Sequence, residues 1–185
     1  MKLRREVTLK TGERCQLRSL EAADAKEALA LCRRAAAETK NLIREADEWT
    51  ITEEEEAAFI RRQEDDPNAL MLGAFLSGRL IGIASFAPRA SVCRARHRAE
   101  LGVMIQKSCW GKGIGTAMLE ALLERIKNTP YEQLELEVVE GNERAIRLYE
   151  RFGFIEFARH PRKLKYRDGT YADIIMMMLK LRRTL

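Results

Sequence analysis

The stretch "CWGKGIGT", residues 109–116, decides how the rest of the chain is read. Gly111, Gly113 and Gly115 occupy alternate positions, with Lys112 between the first two. An apolar run, "AELGVMI" (99–105), precedes them. "AMLEALLERIK" (117–127) follows, with Met118, Leu119, Leu122, Leu123 and Ile126 on one helical face. The chain therefore runs from a buried strand through glycines into a helix. Such a helix leaves its first N–H groups without acceptors, and its dipole favours an anion there. Glycine tolerates unusual dihedrals and lets a bulky phosphate approach the main chain. The segment reads as a phosphate cradle. The competing reading is a glycine turn that merely packs helix on strand.

Two familiar nucleotide loops do not fit. A P-loop carries four residues between its glycines and ends in Gly-Lys-Ser/Thr, whereas Gly115-Thr116 lacks the lysine. The dinucleotide fingerprint needs glycine at 116 or 118, where the chain has Thr116 and Met118. A second constellation lies in "NERAIRLYERFGF" (142–154). Asn142 and Tyr149 are two helical turns apart, so an amide and a phenol share nearly one face. The amide is suited to hold a polar carrier chain and the phenol to donate a proton. Alternatively Asn142 is only a cap and Tyr149 a core aromatic.

Outward from these segments the order is mixed α/β. "EVTLKTGERCQLRSL" (6–20) reads as two strands around Thr11-Gly12. Ala25, Leu29, Cys32 and Ala36 repeat at helical spacing, predicting a helix from Asp24 to about Ala46. Thr52 and Glu55 form a capping box for a second helix, about Glu53 to Glu64, which Asp66-Pro67-Asn68 stops. "ALMLGAFL" (69–76) and "LIGIASFA" (80–87) read as an antiparallel pair, and "QLELEVV" (133–139) alternates like a strand. Asn142 opens a short helix that Gly153 ends. Strands over Phe154–His160 and Tyr171–Leu181 close the chain around Asp168-Gly169. The fold class expected is α/β of the α+β kind, with a mixed, mainly antiparallel sheet flanked by helices, in one domain over residues 1–185.

The 185 residues are 46% apolar and 33% charged, an ordinary globular composition. The formal net charge of +5 makes an anionic partner plausible, whether a nucleotide cofactor, RNA or an acidic surface. No helix-turn-helix, zinc or RNA-recognition signature accompanies the charge, so nucleic acid is not the expected partner. No stretch approaches a membrane span, and "MKLRREVTLK" lacks a signal-peptide core, so a cytoplasmic protein is expected, with no membrane partner. Cys15, Cys32, Cys93 and Cys109 are scattered, and only His97 and His160 accompany them, so no metal site is expected.

Together, "AELGVMI", "WGKGIGTAM" and "NERAIRLYERFGF" resemble the GNAT superfamily of N-acetyltransferases in order and spacing. The resemblance runs from about Leu70 to Gly153, and more loosely over the whole chain. It implies acetyl-CoA as co-substrate, an amine acceptor and, as a family-level expectation, a homodimer. The family cradle, Gln/Arg-x-x-Gly-x-Gly/Ala, maps onto Trp110 to Gly115, with Trp110 departing from the usual Gln or Arg. Cofactor contacts are implied at Gly111, Lys112, Gly113, Ile114, Gly115 and Thr116. Val103, Met104 and Ile105 would pair with the pantetheine arm like an added strand. Asn142 would hydrogen-bond that arm, and Tyr149 would sit by the thioester sulfur as the acid.

Two glutamates are candidate bases. Glu100 opens the strand before the cradle. Glu137 lies five residues before Asn142, where the family's acetyltransferases of ribosomal-protein N-termini carry a proposed base. Either is equally readable as a solvated strand residue. Cys109 lacks a nearby histidine to activate it and is rejected as a nucleophile. The basic run "PRASVCRARHR" (88–98) reads as a solvated loop, or as an attractor of an anionic substrate or of the cofactor's 3′-phosphate. Met176-Met177-Met178 reads as a buried strand. The function expected is acetyl transfer to a primary amine of a small molecule or a protein N-terminus. The alternative is an acetyl-CoA-binding sensor without chemistry.

Overall fold

The computed structural model describes residues 2–181, so the ends of the expected domain, 1 and 182–185, lie outside the described residues. One eight-stranded sheet carries the chain. Its strands are β1 (Arg4–Thr8), β2 (Arg14–Ser19), β3 (Leu70–Leu76), β4 (Arg79–Pro88), β5 (Arg98–Ile105), β6 (Gln133–Val139), β7 (Ile155–Lys165) and β8 (Tyr171–Lys180). The helices are α1 (Ala25–Glu38), α2 (Glu53–Asp65), α3 (Ile114–Ile126) and α4 (Glu143–Arg151). The strand order is β1-β2-β3-β4-β5-β6-β8-β7, and every pairing is antiparallel except β5 with β6. Among the described residues no helix is long and apolar enough to cross a membrane.

The two faces of the sheet bury different helices. On one face α3 presents Ile114, Met118, Leu119, Leu122 and Ile126 to Leu72, Ala84, Phe86, Leu101, Leu134 and Leu136. Tyr149 and Phe154 join that same core. On the other face Ala28 and Leu31 of α1 and Ile60 of α2 pack on Leu20, Phe75, Leu80 and Ile83. Strand alternation divides the side chains between these cores. The expected capping box is present, with the Thr52 side chain accepting from the Glu55 N–H at 3.2 Å.

The first helix is shorter than its periodicity suggests. It stops at Glu38, and Thr39 is extended with φ −154° and ψ 149°. Leu42 and Ile43 continue the apolar pattern, yet Ile43 is 66% exposed, so no core rewards another helical turn there. The segment is held instead by the distant β7–β8 hairpin. Lys40 pairs with Asp168 at 2.6 Å, the Tyr166 hydroxyl donates to the Lys40 carbonyl, and Arg167 binds Asp47 at 2.7 Å. β7 also runs beyond His160, to Lys165, past a register shift between His160 and Leu164.

Candidate functional site

The site begins where two strands part. β5 and β6 pair in parallel only at Arg98–Gln133, Ala99–Leu134 and Glu100–Glu135. Beyond that β5 continues alongside β4 and β6 alongside β8. Val103, Met104 and Ile105 pair with Ala84, Ile83 and Gly82 on one edge and, among the described residues, have no strand on the other. A strand edge without a partner offers N–H and C=O groups to an extended ligand. One of these groups is already engaged, because the Trp110 indole N–H donates to the Ile105 carbonyl at 2.7 Å.

The glycine loop lies at the end of β5, and its three glycines serve two purposes. Gly111 and Gly113 have φ of +80° and +93°, a region that L side chains rarely enter. Gly115 sits inside α3, where a Cβ would stand 3.0 Å from Leu148 Cδ2 and 3.4 Å from Ile105 Cδ1. The first two glycines set the turn, and the third lets α3 approach α4 and β5 closely. Gly113 is the N-cap of α3 and supplies no capping side chain. The first helical bond is Ala117 N–H to the Gly113 carbonyl at 3.1 Å. The N–H groups of Ile114, Gly115 and Thr116 precede it, without intrahelical acceptors. Bare main chain, a helix start and nearby cations suit an anionic group such as a pyrophosphate. The Lys112 ammonium is turned aside, 2.9 Å from Glu13, and that carboxylate raises its pKa.

α4 supplies the other predicted pair, with different fates. Asn142 is the N-cap, its side-chain oxygen accepting from the Ala145 N–H at 3.4 Å. Tyr149 is buried against Phe154, with ring centroids 5.7 Å apart. Its hydroxyl has no hydrogen-bond partner among the described residues. Burial pushes that hydroxyl up to about 12, so the proton stays on oxygen at neutral pH.

The two glutamate candidates come together, joined by residues that the sequence pattern did not single out. Glu100, Glu135 and Glu137 share one side of the sheet by alternation. The Arg89 guanidinium reaches all three: Nη1 to Glu100 at 3.5 Å, Nε to Glu135 at 3.1 Å and Nη2 to Glu137 at 3.9 Å. Arg89 Nη1 is buried and makes no hydrogen bond among the described residues. Glu135 is also gripped by Arg98, and Gln133 donates to it at 2.6 Å. Burial alone would raise the Glu135 pKa, but the hydrogen bonds from Arg98 and Gln133 prevail and hold it below the usual carboxylate value. Glu137 is paired with Lys163 of β7. Glu100 is the most open, with 53% of its side chain exposed. So Arg89 and Arg98 are not the solvated loop cations that the basic run suggests. They neutralise a carboxylate cluster beside the strand fork. The signal available was their position at the ends of two apolar strands.

A cavity of about 880 Å3 lies between residues 36–48 and the β7–β8 hairpin. Leu42, Ile43, Leu164, Tyr166 and Lys163 line it. It is tied to both sides of the fork. Glu38 on its wall accepts from the Lys107 N–H just after β5 at 2.7 Å, and Lys163 holds Glu137 of β6. Sequence periodicity has no means of locating such a cavity, because it forms between segments more than a hundred residues apart.

Comparison with known proteins agrees with this geometry. The "Acetyltransferase (GNAT) family" model matches residues 36–154, which include the fork, the glycine loop and α4. A relative from Bacillus subtilis (strain 168), named "Putative ribosomal N-acetyltransferase YdaF", is 36% identical over 118 residues. That match covers 61% of this chain and 57% of YdaF, less than two thirds of the relative's length. Further relatives carry the names L-amino acid N-acetyltransferase AaaT, from Escherichia coli (strain K12), and spermine/spermidine N(1)-acetyltransferase, from Bacillus subtilis (strain 168). Among solved structures, a GNAT-family acetyltransferase from Streptococcus pneumoniae superposes with a TM-score of 0.86 at 29% identity, covering 90% of this chain and 99% of that one. A phosphinothricin acetyltransferase from Sinorhizobium meliloti, in complex with AcCoA, shares the fold with a TM-score of 0.80 at 20% identity over 95% of this chain and 89% of that one. With the family model matching well over half of its length, and with the strand fork and glycine loop in place, the chain belongs to the GNAT acetyltransferase family.

Proposed function

We propose that the chain is an N-acetyltransferase that moves an acetyl group from acetyl-CoA to a primary amine, by direct attack and without an acyl-enzyme. The observation that carries this reading is the fork between β5 and β6. It has the bare helix start of α3 at one end, and the buried ring of Tyr149, whose hydroxyl has no partner among the described residues, packs in the core that α3 also fills. When bound, acetyl-CoA supplies the activated thioester. The main chain of residues 111–116 receives its phosphates, and the free edge of Val103–Ile105 receives its pantetheine arm. Asn142, whose side-chain oxygen is used in capping, keeps its amide N–H groups for that arm.

The acceptor amine must lose a proton before it attacks, and Glu100 or Glu137 takes it, directly or through water. Strand N–H groups near Val103–Ile105 donate to the oxygen on which charge develops. Tyr149 donates its proton toward the departing sulfur. Its raised pKa keeps that proton in place, and the same dry surroundings raise the proton affinity of a sulfur beside it. The cavity beside residues 36–48 holds the acceptor, and its volume suits a small molecule or the end of a peptide.

The test is release of free thiol from acetyl-CoA against a panel of polyamines, amino acids, aminoglycosides and short peptides, with Tyr149→Phe alongside. Release with one acceptor class, lost in the variant, is the expected outcome. Acetyl-CoA binding without release against any amine or protein acceptor would overturn the catalytic reading.

A further inference from the structure

Several cations surround the glycine loop, and most are already engaged. Lys112 is tied to Glu13, whose carboxylate also accepts from the Thr11 hydroxyl at 2.6 Å. This links the β1–β2 turn to the loop and spends the loop's own lysine on structure. Arg151 donates to the Thr116 hydroxyl at 3.1 Å. Elsewhere on α4, Arg147 lies 3.6 Å from Glu143.

Lys10 and Arg144 differ from these. Neither has a carboxylate partner or a side-chain hydrogen bond among the described residues, yet both lie against the loop. The Arg144 Nη1 stands 3.4 Å from where a Cβ on Gly111 would be. Its guanidinium carbon is 5.4 Å from the centroid of the Trp110 ring. Trp110 is fixed in turn by its bond to the Ile105 carbonyl, so the ring is a rigid platform for the arginine. Lys10 comes from the β1–β2 turn. Its N–H donates to the Lys112 carbonyl at 3.2 Å, and its Cγ passes 3.5 Å from the position of a Cβ on Gly113. Two unneutralised cations thus flank the positive end of a 13-residue helix. That placement is unfavourable by itself and becomes favourable once an anion lies between them.

We propose that Lys10 and Arg144, brought in from the β1–β2 turn and the first turn of α4, clamp the phosphates of a coenzyme A thioester, while Lys112 ties the loop to Glu13. This rests on the reading of the fork and loop as an acetyl-CoA site. It also accounts for Trp110: the position where the family pattern carries Gln or Arg instead carries a platform for an arginine supplied by another element.

The test is calorimetric titration of wild type, Lys10→Met, Arg144→Gln, Arg147→Met and Lys112→Met with acetyl-CoA and with 3′-dephospho-coenzyme A. Thermal melts check that each variant is folded. Losing a charge-assisted contact to a phosphate is expected to weaken acetyl-CoA binding about tenfold in Lys10→Met and in Arg144→Gln. Arg147→Met controls for general loss of positive charge and is expected to bind as wild type. A tenfold penalty that vanishes with the dephospho ligand supports a clamp on the 3′-phosphate. A penalty that persists supports one on the pyrophosphate. Affinities of Lys10→Met and Arg144→Gln within twofold of wild type overturn the proposal, as does a loss confined to Lys112→Met. Wild type that binds neither ligand overturns the acetyl-CoA reading itself, an outcome distinct from equal binding by all variants.

Discussion

Arg89 Nε lies 3.1 Å from the Glu135 carboxylate, whose side chain is only 1% exposed. The other two guanidinium nitrogens face Glu100 and Glu137, so one arginine addresses three carboxylates on neighbouring strands. Arg98 completes the neutralisation of Glu135. Breaking a buried pair by removing one partner typically costs about 3–5 kcal/mol, because a charge is left buried. Glu135 would retain Arg98, so Arg89→Met is expected to cost less, about 1–3 kcal/mol. Chemical denaturation of the two proteins checks this, and Arg89→Lys should recover part of the loss.

The pH dependence of stability follows from the same carboxylate. The folded state holds the Glu135 pKa below its ordinary value. Its contribution is therefore fully present above the unfolded pKa of about 4.3 and is lost as pH falls through the folded value. Melting temperature should be level near neutrality and fall on the acid side of that point. In Glu135→Gln, melts between about pH 3 and 6 should show a shallower acid fall. An unchanged acid slope would show that other carboxylates dominate it.

Tyr149→Phe removes a hydroxyl that has no partner within the described residues while keeping the ring contact with Phe154. Stability should change little. Losing a general acid typically costs about 10²-fold in turnover, with acetyl-CoA affinity nearly preserved. Steady-state kinetics with titration of acetyl-CoA separates the two effects. Equal turnover in the variant would remove Tyr149 as the acid.

Glu100 and Glu137 differ in how free they are. Glu137 pairs with Lys163 and keeps 16% of its side chain exposed, whereas Glu100 is half open and, among the described residues, has an ion pair only with Arg89, at 3.5 Å. A carboxylate already engaged by an ammonium has less lone-pair capacity for an incoming amine. Glu100→Gln is therefore expected to lower turnover by about 10²-fold, more than Glu137→Gln does. The opposite ranking in pH–rate profiles would assign the base to Glu137.

Gly113→Ala forces an L residue into φ +93° at the N-cap of α3. The strain should cost about 1–2 kcal/mol and disturb the loop's main-chain N–H groups together. The expected result is a lower melting temperature and weaker acetyl-CoA binding. Gly12→Ala, at φ +81° with open space around it, should show the stability loss without the binding loss.

Much was determined by the sequence alone because its signals are local. Periodicity marked the buried face of α3, the Thr52–Glu55 box marked the start of α2, and the glycine spacing marked a strand-to-helix turn with a bare main chain. These are properties of backbone dihedrals and of residues three or four apart, so a one-dimensional reading reaches them. Tertiary structure alone decided where α1 stops, because the β7–β8 hairpin captures residues 40–47 from more than a hundred residues away. It also decided that Lys112 faces Glu13 while Lys10 and Arg144 face the loop, and that Arg89 gathers three glutamates from two strands. Such pairings depend on which segments the sheet order brings together. Charge is long-range in space but carries no record of its partner in the chain, so the same basic run reads as a solvated loop until the fold supplies the carboxylates.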